Sequence, residues 1–234
     1  MDWSAYSAAL FDLDGVITPT AEVHMRAWSE MFNAFLPPDQ PRYTDDDYYQ
    51  YVDGKPRYDG VRDFLQARGI SLPEGLPSDD PVEPTVCGLG NAKNARFNEI
   101  LTRDGVQPYP GSARLIEKLA AAGVGLAVVS SSKNAATVLK AARLDQYFPV
   151  VVDGLRSAEE QLLGKPEPDT FLRAAGLLDA PASRCVVLED AISGVQAGAA
   201  GEFGLVVGVD RGAGESALRE AGADLVVQDL EELL

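Results

Sequence analysis

A single histidine, His24, and only two cysteines, Cys87 and Cys185, stand in this 234-residue chain. One histidine excludes catalysis by a histidine pair, including phosphohistidine transfer that needs a second catalytic histidine. Together with two cysteines it also excludes a His/Cys-rich zinc site within one chain. Two distant cysteines make no disulfide framework, so a reducing, cytoplasmic setting is expected. Basic residues are scarce as well: 20 Lys and Arg face 36 Asp and Glu, a formal charge of −16. A field of that sign repels nucleic acid and anionic membranes, and neither is an expected partner. A phosphorylated substrate would need local positive charge to overcome it. No apolar run approaches the roughly 18 residues of a membrane span. The opening MDWSAYSAALFDLDG has no basic leader region, so no signal peptide is expected. Nothing calls for an obligate partner, and a monomer is expected.

Apolar residues make up 46% of the chain, enough for the core of one or two domains. Ala8 to Phe11 is a short apolar run ending at Asp12 and reads as a buried strand. From Thr20 to Leu36 the spacing of Val23, Ala27, Met31 and Ala34 predicts a helix. The segment PPDQPRYTDDD then reads as a break. Further helices are expected near 58–68 and 91–103, with a turn-rich stretch from Leu72 to Pro84 between them.

Beyond residue 104 the pattern changes. Strands are predicted at 125–129, 150–152, 185–188, 204–209 and 225–227. They alternate with helices near 112–122, 134–142, 168–175, 191–199 and 215–221. Continuous apolar strands alternating with amphipathic helices indicate a parallel sheet covered on both faces. The fold class is therefore α/β, a Rossmann-like sheet formed by 1–17 and 105–234, interrupted by a helical insert over 18–104.

Four polar clusters fall at strand ends or loops, where open α/β sheets bind ligands. Asp12 and Asp14, in FDLDG, put two carboxylates two residues apart after a buried strand. One suits a nucleophile and metal ligand, the other a general acid or base. Ser130, Ser131, Ser132, Lys133 and Asn134 bring hydroxyls and backbone N–H groups to a strand end, which suits phosphate. Lys165 could neutralise phosphate oxygens, and Glu189 and Asp190 could complete an Mg²⁺ site. Each cluster alone has a plainer reading: a solvated Asp-rich turn, a helix cap, a surface lysine, a pair of capping acids. In this order, one after another, the four are far more specific.

The series DxD-G, Ser, Lys, Asp resembles the signature of the haloacid dehalogenase superfamily, across the whole sheet-forming part of the chain. The resemblance implies Asp12 as a nucleophile that forms an aspartyl phosphate and Asp14 as general acid/base. It implies Ser130, Ser131 and Lys165 as holders of the transferring phosphate. One Mg²⁺ is implied at Asp12, Asp190 and the Asp14 carbonyl, with Glu189 a ligand or beside one. The helical insert is similar to the superfamily's cap domain. DLDGVIT, Thr20-Ala21-Glu22, His24 and Arg26-Ala27-Trp28 resemble the strand-to-cap junction of the β-phosphoglucomutase-like subfamily. Gly54-Lys55-Pro56-Arg57 and Ser132-Lys133-Asn134 resemble its grip on the phosphate that is not being transferred, and Lys93-Asn94 resembles a further cap pair near the site. By that resemblance Arg57, Ser132, Lys133, Asn134, His24 and Lys93 face a phosphorylated sugar, and the expected reaction interconverts β-glucose 1-phosphate and glucose 6-phosphate through a bisphosphate. A sugar-phosphate phosphatase on the same machinery is the alternative. Pro19 stands where the subfamily has Asp, and Asp53 where it has Lys.

Overall fold

The computed structural model describes residues 1–234. The chain divides into two compact units, Met1–Pro19 with Val106–Leu234, and Thr20–Gly105.

The first unit is built on six strands: β1 (Ala8–Phe11), β2 (Gly125–Val129), β3 (Val150–Val152), β4 (Cys185–Glu189), β5 (Leu205–Val209) and β6 (Leu225–Val227). They form one sheet in the order β3-β2-β1-β4-β5-β6, every pair parallel. All four residues of β1 are fully buried, as a central strand covered on both faces requires. The register pairs Phe11 with Val128 on one side and with Leu188 on the other. Residues just past those positions therefore emerge together at the carboxyl end of the sheet. The strand order reverses at β1, so this is also the crevice where an open parallel sheet takes ligands.

In the second unit α1 (Thr20–Phe35), α2 (Asp45–Asp47), a π-helical turn at Tyr48–Val52, α3 (Arg57–Ala67) and α4 (Val86–Asp104) pack around aromatic rings. Trp28, Phe32, Tyr43 and Phe64 are buried there, with the Phe32 and Phe64 centroids 4.1 Å apart. Trp28 and Phe32 stack at 5.3 Å and are core residues. The remaining helices belong to the first unit: α5 (Pro110–Ala121), α6 (Ala135–Ala141), α7 (Gly154–Glu159), α8 (Asp169–Leu177), α9 (Ile192–Ala200) and α10 (Glu215–Glu220). No helix is long and apolar enough to cross a membrane.

Three local expectations are corrected. The Pro/Asp-rich break folds at its end into α2 and the following turn, because Thr44 and Asp47 form a reciprocal capping box. Asp47 also pairs with Arg68 at 2.6 Å. Helix α4 starts at Val86 rather than 91, since the Thr85 hydroxyl accepts the Gly88 N–H at 2.9 Å. Helix α7 was not expected. It is too short for periodicity to reveal, and it starts where the Asp153 carboxylate accepts the N–H groups of Leu155 and Arg156, each at 3.0 Å.

Candidate active site

Asp12 follows β1 directly, and its backbone N–H extends the ladder to the Leu188 carbonyl at 2.9 Å. Its carboxylate accepts from the Lys165 ammonium at 2.5 Å. That ammonium is almost wholly buried, at 4% exposure of the residue. It also donates to the Val129 carbonyl at 3.3 Å and touches the Glu189 carboxylate. The Phe171 ring lies 5.1 Å beneath it. Glu189, the last residue of β4, is completely buried, and its second oxygen accepts the Ala191 N–H at 2.9 Å. Glu189 thus holds Lys165 from one side while Asp12 meets it from the other. Space for it comes from Gly194, where a Cβ would lie 1.8 Å from the Glu189 carboxylate.

Two buried carboxylates share one ammonium. Burial pushes the Asp12 carboxyl well above its ordinary value, Lys165 opposes this, and Glu189 and Asp14 reinforce it. For Lys165, burial works against the charged form, but Asp12 and Glu189 outweigh it and hold the amine above its ordinary range. The lysine therefore stays cationic between the two acids. Asp12, Glu189 and Asp190 each offer an oxygen, all within 4.8 Å of one another. An all-carboxylate set of this kind fits a hard divalent cation such as Mg²⁺.

The loop carrying Asp14 is drawn tight. The Leu13 carbonyl accepts from the backbone N–H of Ile17 at 2.9 Å and of Thr18 at 3.0 Å. Gly15 has φ +91°, and a Cβ there would lie 1.9 Å from an Asp190 carboxylate oxygen. Only glycine tolerates both the left-handed backbone and the approach.

Past β2, Ser130 is buried and its oxygen accepts the Ser132 N–H at 3.1 Å. The Ser132 oxygen in turn accepts the Asn134 N–H at 3.1 Å. A hydroxyl that accepts can still donate, so this chain of turns presents donors at the sheet end. The backbone at Ser131 and Lys133 packs on Gly154, where a Cβ would fall 2.7 Å from the Ser131 carbonyl.

Within the helical unit, Arg57 donates to Asn91 at 3.3 Å and to Asn94 at 2.8 Å. Burial pulls its guanidinium below its ordinary value. The Tyr58 hydroxyl meets the same Asn91 oxygen at 3.0 Å. Asn91 and Tyr58 escaped the sequence reading. The available signal was the three-residue spacing of Asn91 and Asn94, which places both on one helix face. His24 stacks on Phe97 at 4.1 Å, and its Nδ1 meets the ammonium of buried Lys93. Lys93 lies 4.9 Å from the Trp28 ring centre and 5.3 Å from that of Phe97. The structure thus brings Asp12, Lys165, Glu189 and Asp190 together in one unit. In the other it joins Arg57 with Asn94, and His24 with Lys93.

The profile of the family described as haloacid dehalogenase-like hydrolase matches residues 6–201. A β-phosphoglucomutase from Mycobacterium bovis is 49% identical, over 97% of this chain and 91% of its own length. A β-phosphoglucomutase from Bacillus subtilis is 32% identical, over 97% of this chain and 91% of its own. The crystal structure of a β-phosphoglucomutase from Clostridium difficile superposes with a TM-score of 0.78 at 25% identity. That match covers 98% of this chain and 93% of the other. With the parallel sheet and the acid–lysine cluster at its carboxyl end, these matches establish that the chain belongs to the haloacid dehalogenase superfamily, in its β-phosphoglucomutase-like subfamily.

Proposed function

We propose that the protein transfers a phosphoryl group through an aspartyl phosphate on Asp12 and that it interconverts β-glucose 1-phosphate and glucose 6-phosphate through a sugar bisphosphate. One observation supports this most: a buried Asp12 carboxylate on the Lys165 ammonium, within 4.8 Å of Asp190, in a chain 49% identical to a β-phosphoglucomutase. An Asp12 oxygen attacks phosphorus, and the bond from phosphorus to the donor sugar oxygen breaks. Asp14 gives that oxygen a proton. In the return step Asp14 takes the proton of the other sugar hydroxyl, whose oxygen attacks phosphorus and frees Asp12. Ser130, Ser131 and Lys165 hold the moving phosphate. Arg57, Ser132, Lys133, Asn134, His24 and Lys93 hold the rest of the substrate.

Asp12, Asp190 and the Asp14 carbonyl would hold Mg²⁺, with Glu189 beside them. Mg²⁺ supplies positive charge that lets a carboxylate approach a phosphate. Thorough chelation should abolish turnover and added Mg²⁺ should restore it. Activity in protein shown by elemental analysis to be metal-free would contradict this assignment.

Arg57 carries a specific expectation. Its planar fork can meet two phosphate oxygens at once. Losing such a charge-assisted pair costs about 1.5–3 kcal/mol, or roughly 10- to 150-fold in rate. Arg57→Ala should lower mutase turnover by that factor and spare hydrolysis of acetyl phosphate, which has one phosphate. Equal loss of both activities would make Arg57 a structural residue.

The family description as hydrolase favours a second reading, in which water replaces the sugar hydroxyl as acceptor. Phosphorus NMR of β-glucose 1-phosphate with Mg²⁺ and a trace of glucose bisphosphate separates the two. The mutase yields glucose 6-phosphate, and the phosphatase yields inorganic phosphate.

A further inference from the structure

Three consecutive carbonyls follow Asp14, and each is held by a donor far away in the chain. The Ile17 carbonyl accepts the Tyr109 N–H at 2.9 Å. The Val16 carbonyl accepts the Ser112 hydroxyl at 2.7 Å. The Gly15 carbonyl accepts Nε of Arg211 at 3.0 Å. Of the three donors, Arg211 holds the residue next to Asp14.

Arg211 is itself fixed from several directions. It lies two residues past β5, in a turn where the Asp210 carboxylate accepts the N–H groups of Gly212 and Gly214, each at 3.0 Å. Its guanidinium carbon sits 3.9 Å from the centre of the Tyr109 ring. Nη1 donates to the Gln228 carbonyl at 2.9 Å, and Nη2 faces the Asp229 carboxylate at 3.6 Å. A rigid planar cation on an aromatic face, with donors on several edges, can tie Gly15 to the β6 end of the sheet in one geometry. A lysine could make one of these bonds and not the set.

The position of Gly15 matters on two sides. Its backbone continues directly from Asp14, and its α-carbon packs against Asp190 so closely that a Cβ would clash at 1.9 Å. A shift of this peptide moves the Asp14 carboxylate relative to the sheet.

We propose that Arg211 is a positioning residue for phosphoryl transfer, holding the Gly15 peptide and, through it, Asp14 in line with the sugar oxygen that gains or loses the proton. This inference rests on the assignment of Asp14 as acid/base, and the test separates the two. Phosphorylation of Asp12 by acetyl phosphate releases acetate, which needs no proton donor. Transfer to or from a sugar hydroxyl does. Arg211→Met keeps an unbranched apolar stem over Tyr109 and removes every donor. At saturating Mg²⁺, so that a weaker hold by the Asp14 carbonyl is made up, it should lower kcat for the sugar phosphate by about 10- to 100-fold, with KM and the single-turnover rate of Asp12 phosphorylation by acetyl phosphate within about threefold of wild type. Arg211→Lys, which can keep the bond to Gly15, should show the same split at smaller size, and it decides the matter if Arg211→Met does not fold. Equal loss of both reactions, or loss of neither, would overturn the proposal. Asp14→Asn is measured alongside. If it loses sugar transfer while the Arg211 variants do not, the positioning role fails and the acid/base assignment stands. If Asp14→Asn transfers to sugar normally, the acid/base assignment itself fails.

Discussion

Asp12→Asn should lower turnover by about 10⁴-fold or more while the protein stays folded. An amide nitrogen and its carbonyl are poor nucleophiles, and no covalent phosphate can form on them, so the two-step route closes. The stability consequence has the opposite sign. Burial, with Glu189 and Asp14, raises the Asp12 carboxyl against the pull of Lys165. A carboxyl raised on folding favours the folded state while it is protonated. That contribution is complete below its unfolded value near 3.8 and is lost as pH climbs through the raised folded value. At neutral pH the metal-free fold therefore gains nothing from the Asp12 charge. Asn at this position should leave the melting temperature equal or higher, and Lys165 keeps its contact with Glu189. Wild-type turnover in Asp12→Asn would remove it from the chemistry. A large drop in melting temperature would mean that the carboxylate supports the fold.

Lys165→Met should harm both activity and stability. The ammonium is the cation that Asp12 and Glu189 share, and the lysine side chain is 1% exposed. Removing it leaves two carboxylates facing each other in a buried site, and breaking such a pair costs about 3–5 kcal/mol. Turnover should fall by about 10³-fold, the effect of losing a donor aimed at developing charge. The double variant Lys165→Met with Glu189→Gln separates the two consequences. Glutamine can still accept the Ala191 N–H, and the unpaired charge is reduced. Most of the lost stability should return, whereas turnover should not. A double variant no more stable than Lys165→Met would show that the contact is not an electrostatic one. Turnover near wild type in the single variant would exclude Lys165 from phosphate binding.

The sheet was legible because its strands are short, continuous apolar runs. AALF, GLAVV and CVVL are buried on both faces, and each is followed by a polar cluster. Asp12, Ser130 and Glu189 could be placed at one end of it from chain order alone. What Glu189 does there could not. Its carboxylate divides between Lys165 and the Ala191 N–H, and Lys165 lies 24 residues away in sequence. Chain order does not say that the loop before α8 reaches the ends of β1 and β4, where the Lys165 ammonium meets both Asp12 and Glu189. The helical unit was less legible for a different reason. Its boundaries depend on single capping side chains, Thr44 with Asp47 and Thr85 with Gly88, which periodicity does not register. The Arg57 environment is likewise tertiary: Asn91 and Asn94 come from another helix. Arg211 gave no local signal, since its partners Gly15 and Tyr109 are distant in the chain.

The most direct test of the account is to mix the protein with Mg²⁺ and glucose bisphosphate, quench in acid within a single turnover, and locate the phosphoryl group by peptide mass spectrometry. The expected result is a phosphoryl group on Asp12 that passes to a sugar monophosphate when β-glucose 1-phosphate is added before the quench. A phosphoryl group on any other residue, or full turnover with no covalent phosphate at any quench time, would contradict it.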